Sequence, residues 1–324
     1  MRPFRSVLAE KMESYVAYRK HLSYSEKTLR AHLRAFDRYL QNHHATFDEL
    51  QPAFFLELRS RLTQDPRTVN HILWAVRGFF DYLVRQGLLQ DNPLQDIPLL
   101  SPTYFVPFVF SPEEIEKLLC VLCQRIRAIP RYFLKDFAVY LAILLLARCG
   151  MRIKEPLHLL RQHFRQDEGT IYIERTKFQK DRLIPLPRAV INEIENYLAA
   201  RQALIPVDLN PYLLAGVKQN PLNDDLVRRV FHQVVQSIGL SRPKQKIADI
   251  TFGRPTPHSL RHSFAINTLK RIREQGRSPQ HALPILAAYL GHRRYHYTGA
   301  YLKVSNAKDV AGLLEFARSQ RGAS

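Results

Sequence analysis

The chain has 324 residues, and several things in it are scarce. It has three cysteines, Cys120, Cys123 and Cys149, too few for a disulfide framework. A reducing compartment, the cytoplasm, is therefore expected. Cys120 and Cys123 lie one turn apart in a helical pattern with no second Cys or His pair nearby, so they read as two small core residues and not as a zinc site. No apolar run reaches the roughly 18 residues of a membrane span; the longest, residues 137–147, reads as one buried helix. The start carries Arg2, Arg5, Glu10 and Lys11 without an apolar stretch, so no signal peptide is expected. Internal repeats and low-complexity tracts are absent.

Acidic residues are also short. Lys and Arg number 48 against 29 Asp and Glu, a net charge of +19. The excess is uneven. Residues 1–100 hold 14 basic and 11 acidic residues, a net +3, and residues 101–324 hold 34 and 18, a net +16. Such a surface attracts a polyanion, of which nucleic acid is the common one. Anionic membrane is the rival, but no stretch pairs a Lys-rich polar face with a bulky apolar one. The 46% hydrophobic and 24% charged content is ordinary for a globular protein and excludes disordered and collagen-like chains. The length suggests about two domains.

The first hundred residues read as helical. Apolar residues recur at helical spacing from Val7 to Leu22, and again from Ser25 through Leu29, Leu33, Phe36, Tyr39 and Leu40. A short third helix is expected after Thr46, with Thr46 as N-cap and Glu49 three residues on. A fourth runs from about Pro66 to a stop at Gly87. Arg30, Arg34, Arg67, His71 and Arg77 are left facing outward, for phosphates or solvent. From Gln90 to Pro107 four X-Pro steps break the periodicity, which marks a linker. Ser111-Pro-Glu-Glu114 then opens a helix with a capping box, so a second domain starts near residue 108. The division is 1–100 and 101–324. In the second part, Thr170–Glu174 and Arg182–Leu186 read as a β-hairpin. The rest reads as helix, with polar loops near 161–169, 204–224 and 241–257.

Four features in this basic part carry chemistry: Gly150-Met-Arg152-Ile-Lys-Glu155, Lys177 in the hairpin turn, His258-Ser-Leu-Arg261-His-Ser-Phe-Ala, and Leu290-Gly-His292 with Tyr301 nine residues later. Singly each has an ordinary reading. Arg152 can pair with Glu155 one turn on, worth a few tenths of a kcal/mol. A turn lysine is usually solvated. His258 and Arg261 at i, i+3 can be a polar helix face, and Leu-Gly-His can be a helix C-cap.

In order and in local spacing, the set resembles the tyrosine recombinases, or phage-integrase family. The resemblance is firm over about 111–305 and extends to 1–100, whose helices and closing Asn92-Pro93 are similar to the family's core-binding domain. It implies a mainly α fold with a small β-sheet, in two domains forming a C-shaped clamp: a helical core-binding domain and a mixed α/β catalytic domain. It implies a site of Arg152, Lys177, His258, Arg261, His292 and the nucleophile Tyr301. Tyr295 and Tyr297 lie only three and five residues past His292, and the family's spacing picks Tyr301. Phe178 stands where the family usually has Gly after the lysine, and Lys180 is a rival to Lys177.

The implied chemistry needs these residue types. Strand exchange without hydrolysis stores the phosphodiester as a covalent 3′-phosphotyrosine, and a phenolate can leave again when a 5′-hydroxyl attacks. Two guanidinium groups, Arg152 and Arg261, would clamp the non-bridging oxygens. In the family the lysine protonates the leaving 5′-oxygen. His258 would exchange a proton with the tyrosine and His292 would donate to the phosphate. No metal or cofactor is expected, and no Asp/Glu cluster for Mg²⁺ stands beside the motifs.

The implied partners are double-stranded DNA at an inverted-repeat core site, further copies of the chain in a tetrameric synapse that passes through a Holliday junction, and possible accessory recombination proteins, with a nucleoid-associated location. The segment 305–317 reads as a short helix with an apolar face, which docks either on its own catalytic domain or, as the resemblance implies, on a neighbouring subunit. Departures such as Cys149-Gly-Met-Arg152 for the commoner Thr-Gly-Leu-Arg point towards integration, excision or transposition of a mobile element. Xer-type dimer resolution is the alternative. A relaxing type IB topoisomerase and a non-cleaving DNA-bridging protein are the further rivals.

Overall fold

The structure, a computed structural model, describes residues 3–101, 104–174, 181–216, 219–247 and 250–291. It divides into two compact units, Met1–Tyr104 and Phe105–Ser324.

The first unit holds four helices: α1 (Ala9–His21), α2 (Glu26–Asn42), α3 (Pro52–Arg61) and α4 (Pro66–Arg85). The stripes that predict α1, α2 and α4 supply their buried faces. α4 buries Val69, Ile72, Leu73, Val76, Phe79, Phe80 and Leu83 against Leu33, Phe36, Phe55 and Leu58. Each such side chain contributes about 1.5–3 kcal/mol. Asp65 caps α4 by accepting from the Arg67 N–H, and Gly87 ends it at φ +69°.

Two expectations need correction here. Helix α3 starts at Pro52, not after Thr46; the Thr46 N–H does donate to Glu49, but the turn it closes is separate. A helix running on from Thr46 would place Pro52 in its interior, where its ring strikes a carbonyl, whereas at the first position its missing N–H is harmless. Nor do all the basic residues face outward. Arg30 grips Glu13 and Glu26 with only 13% of its side chain exposed, and Arg77 donates to the carbonyls of Leu94 and Ile97. Arg67 and His71 are exposed, and Arg34 is half-buried.

The second unit opens with β1 (Tyr104–Val106) and α5 (Pro112–Gln124), whose capping box joins Ser111 and Glu114 in both directions. α6 (Pro130–Cys149) is its central helix and is buried on all sides from Phe137 to Ala147. It packs against α5 and against elements further along the chain. After α6 come α7 (Lys154–Leu157), a 3-10 turn at Arg161–His163, and strands β2 (Phe164–Arg165), β3 (Thr170–Ile173) and β4 (Arg182–Pro185). β3 and β4 pair antiparallel with Ile171 opposite Ile184, which is the expected hairpin. Pro156 falls within the first turn of α7, where it does no harm.

Then follow α8 (Arg188–Leu204), α9 (Asp224–Ser237), β5 (Gln245–Ile247), β6 (Ile250–Phe252), α10 (Pro257–Glu274) and α11 (Pro279–Leu290). The second sheet, β1-β6-β5, takes β1 from the expected linker and β5 and β6 from a stretch that reads as polar loop. Strands of three residues are too short to show an alternation. Cys120 and Cys123 are exposed, not core, because Ile115, Leu118, Leu119 and Leu122 set the buried face of α5. Cys149 is buried, and burial pushes its thiol up to about 12. The chain is mainly α with small sheets, as the motifs imply. No helix among the described residues is long and apolar enough to cross a membrane.

Candidate active site

Three helix ends meet in the second unit. α6 ends at Gly150 in the left-handed conformation, φ +59°, and α11 ends at Gly291, φ +64°. α10 begins at Pro257 behind the N-cap Thr256, with His258 and Arg261 in its first two turns.

Arg261 is 1% exposed. Its Nη1 donates to the Gly150 carbonyl at 2.7 Å and its Nη2 to the Leu290 carbonyl. One buried guanidinium thus serves the last carbonyls of two helices, where its charge also meets the negative ends of their dipoles. A buried charge survives only when paired in this way.

Arg152 follows the α6 stop. Its Nη1 donates to Glu155 Oε1 at 2.9 Å and its Nη2 to the Gly291 carbonyl at 3.0 Å, and 24% of its side chain is exposed. Two of its five N–H groups are engaged among the described residues, and among those residues the other three have no acceptor and can meet an anion. Burial pushes the Glu155 carboxyl up, but hydrogen bonds and charge from Arg182, the Arg152 N–H and the Arg261 charge outweigh it and hold it below the ordinary range.

His258 is the solvent-facing member of the group. The protein hemming in the rest of its ring, and then the charges of Arg261 and Arg152, push its imidazole down to about 4. It is neutral at pH 7 and able to accept a proton. Arg228 of α9 adds to the positive field there and, with Arg254, also holds His232 below its ordinary value, after burial.

Arg152, His258 and Arg261 therefore come together, while Lys177, His292 and Tyr301 lie outside the described residues, as does the segment 305–317. Gly291, the residue before His292, is part of the site through its carbonyl. One participant escapes a reading of the sequence. Glu155 looks like a local partner of Arg152, yet it is shared with Arg182, which reads only as a strand residue. The one signal for Arg182 is a charged residue beside the buried Ile184 strand position. Among the described residues no group of three or more His, Cys, Asp or Glu is placed to hold a metal ion.

Comparison with known proteins places this arrangement. The chain is 29% identical over 305 residues to "Putative integrase/recombinase y4rE" of Sinorhizobium fredii, covering 93% of each chain. It is 25% identical over 319 residues to "Tyrosine recombinase XerA" of Pyrococcus furiosus, covering 96% of this chain and 97% of that one. In fold it is similar to XerH site-specific recombinase, solved bound to a palindromic difH substrate in a post-cleavage complex, with a TM-score of 0.67 at 22% identity, covering 90% of this chain and 80% of that one. Residues 109–308 match the model of the phage integrase family, and the chain belongs to that family, the tyrosine recombinases, which break and rejoin DNA strands.

Proposed function

We propose that this chain is a site-specific recombinase acting on double-stranded DNA at an inverted-repeat core site, with Arg152, Lys177, His258, Arg261, His292 and Tyr301 as its catalytic residues. The observation that carries this is the convergence of Arg152, Arg261 and a neutral His258 at three helix ends in the unit that holds almost all the excess positive charge.

In this reading Tyr301 attacks the scissile phosphate and forms the 3′-phosphotyrosine while the P–O5′ bond breaks. His258, neutral at pH 7, takes the phenolic proton. Arg152, with three N–H groups left over among the described residues, receives charge on the non-bridging oxygens, and His292 donates to the same phosphate. Arg261 fixes the two helix ends between which Arg152 is held and adds its own positive charge. Lys177 protonates the leaving 5′-oxygen. The released 5′-hydroxyl of a second strand reverses the step, so a Holliday junction forms within a tetrameric synapse. Residues 1–100 also bind DNA, and the work is done in the cytoplasm on the nucleoid.

For the cellular role we propose integration, excision or transposition of a mobile element, supported by Cys149-Gly-Met-Arg152 and Lys177-Phe178. The similarity to XerA over nearly all of both chains supports Xer-type dimer resolution as the second reading. Deleting the gene separates them: unresolved chromosome dimers would establish the second reading and remove the first.

The activity is tested on a core site selected by binding from randomised inverted repeats. A version of that site nicked near the scissile phosphate traps a covalent adduct in excess chelator. Binding without any adduct would mean a DNA-bridging protein, and relaxation without recombinant products would mean a topoisomerase.

A further inference from the structure

Four donors meet on the carboxylate of Glu155. Its Oε1 accepts from Arg152 Nη1 at 2.9 Å and from Arg182 Nη1 at 3.1 Å. Its Oε2 accepts from the Arg152 backbone N–H at 2.7 Å and from Arg182 Nη2 at 2.7 Å. A carboxylate has about four lone-pair sites, so this one is saturated and cannot turn without losing a partner. Arg182 supplies half of the donors, in the parallel fork that only a guanidinium makes.

The pair is enclosed, with 8% of the Arg182 side chain and 9% of the Glu155 side chain exposed. Burying two charges is costly, and such a pair adds little net stability over apolar packing of the same size. What it does impose is geometry. The Arg182 Nε is buried and has no hydrogen-bond partner among the described residues. The guanidinium is thus set to suit Glu155 at the expense of its own third donor.

Arg182 also backs the second group that holds Arg152. Gly291 accepts from Arg152 Nη2, and a Cβ on Gly291 would lie 2.9 Å from Arg182 Nη1. Of the two anchors of the Arg152 guanidinium, Arg182 therefore holds Glu155 directly and packs beside the backbone of Gly291, whose carbonyl is the other.

We propose that Arg182 is a positioning residue for strand cleavage: by holding both oxygens of Glu155, it sets the plane and reach with which the Arg152 guanidinium meets the scissile phosphate. This rests on the reading of Arg152 as a phosphate contact. In this role Arg182 acts through Glu155 and not by contact with DNA or the reacting atoms.

The test compares two nicked versions of the selected core site, one with the ordinary scissile phosphate and one with a methylphosphonate there. The second lacks the negative oxygen that Arg152 serves. Full-length Arg182→Gln and Arg182→Lys proteins are measured for single-turnover adduct formation, DNA binding and melting, beside Arg152→Ala. Arg182→Lys keeps a positive charge against buried Glu155, so it preserves the fold while losing the fork. On the phosphate both Arg182 variants should cleave about 10²-fold more slowly with binding little changed, the loss expected when a reacting group is displaced by about 1 Å. On the methylphosphonate they should regain most of the wild-type rate, as Arg152→Ala should. Arg182→Lys at wild-type speed on the phosphate, or Arg182 variants equally slow on both substrates, would overturn the proposal and leave the pair a feature of the fold. A wild-type protein that forms no adduct on either substrate would instead overturn the recombinase reading beneath it.

Discussion

Arg261 and Arg152 carry the same group in different surroundings, so their loss should read differently. Arg261 is buried and serves two helix-terminal carbonyls. Arg261→Ala should lower cleavage by about 10²–10³-fold and also stability by about 2–4 kcal/mol, because buried carbonyls lose charged donors. Arg152 is partly exposed, and Glu155 keeps Arg182 when it is removed. Arg152→Ala should give a similar loss of cleavage with about 1 kcal/mol or less of stability. Denaturant melts beside single-turnover rates check both; equal stability loss in the two variants would contradict the contrast. Neither is replaced by lysine without loss, because an ammonium cannot make the planar fork. His258 has a pH signature. Its value falls from 6.5 to about 4 on folding, so below pH 6.5 the unfolded chain binds the extra proton and the folded chain does not. Its contribution to stability is present above about pH 6.5 and is lost as the pH falls towards 4. Melting of His258→Asn should depend less on pH across that window than wild type; an unchanged dependence would contradict a neutral His258.

At the scale of elements, the site depends on how two helices stop. Gly150 has a positive φ, and a Cβ there would lie 2.5 Å from the Phe264 ring and 3.1 Å from Leu290. Gly150→Ala should cost about 1–2 kcal/mol for the left-handed backbone, with a further about 1–3 kcal/mol for overpacking. It should slow cleavage as well, since the Gly150 carbonyl is an Arg261 acceptor. A variant with wild-type melting would show that this stop is not where the site is fixed. Much of this was legible in the sequence. Helices α1, α2 and α4 follow from their apolar stripes, α5 from Ser111-Pro-Glu-Glu114, and the hairpin from two short β-rich runs. The α6 stop follows from Gly150. What was not legible has a common cause: it depends on partners distant in sequence. Arg30 and Arg77 look solvated until Glu13 and the Leu94 and Ile97 carbonyls are beside them. Strands β5 and β6 are too short to carry a period. Arg182 lies 27 residues from Glu155, and no local pattern joins them.

For the whole molecule, charge divides the work between the units. The second unit carries the net +16, since residues 101–104 are uncharged, and the first carries +3. Each has its own core. Non-specific DNA affinity should therefore reside mainly in residues 105–324, with log K falling against log salt at about −0.9 per neutralised phosphate. The isolated fragment 105–324 should keep most of the full chain's slope; a slope carried mainly by residues 1–104 would contradict this.

Tyr301 should become joined to DNA without help from a metal. The selected, nicked core site, end-labelled and mixed with protein in excess EDTA, is resolved on a denaturing gel, and the DNA-linked peptide is identified by mass spectrometry. An adduct is expected on the peptide bearing Tyr301, and its loss in Tyr301→Phe with DNA binding intact. An adduct on Tyr295 or Tyr297, or one that forms only when Mg²⁺ is restored, would contradict this.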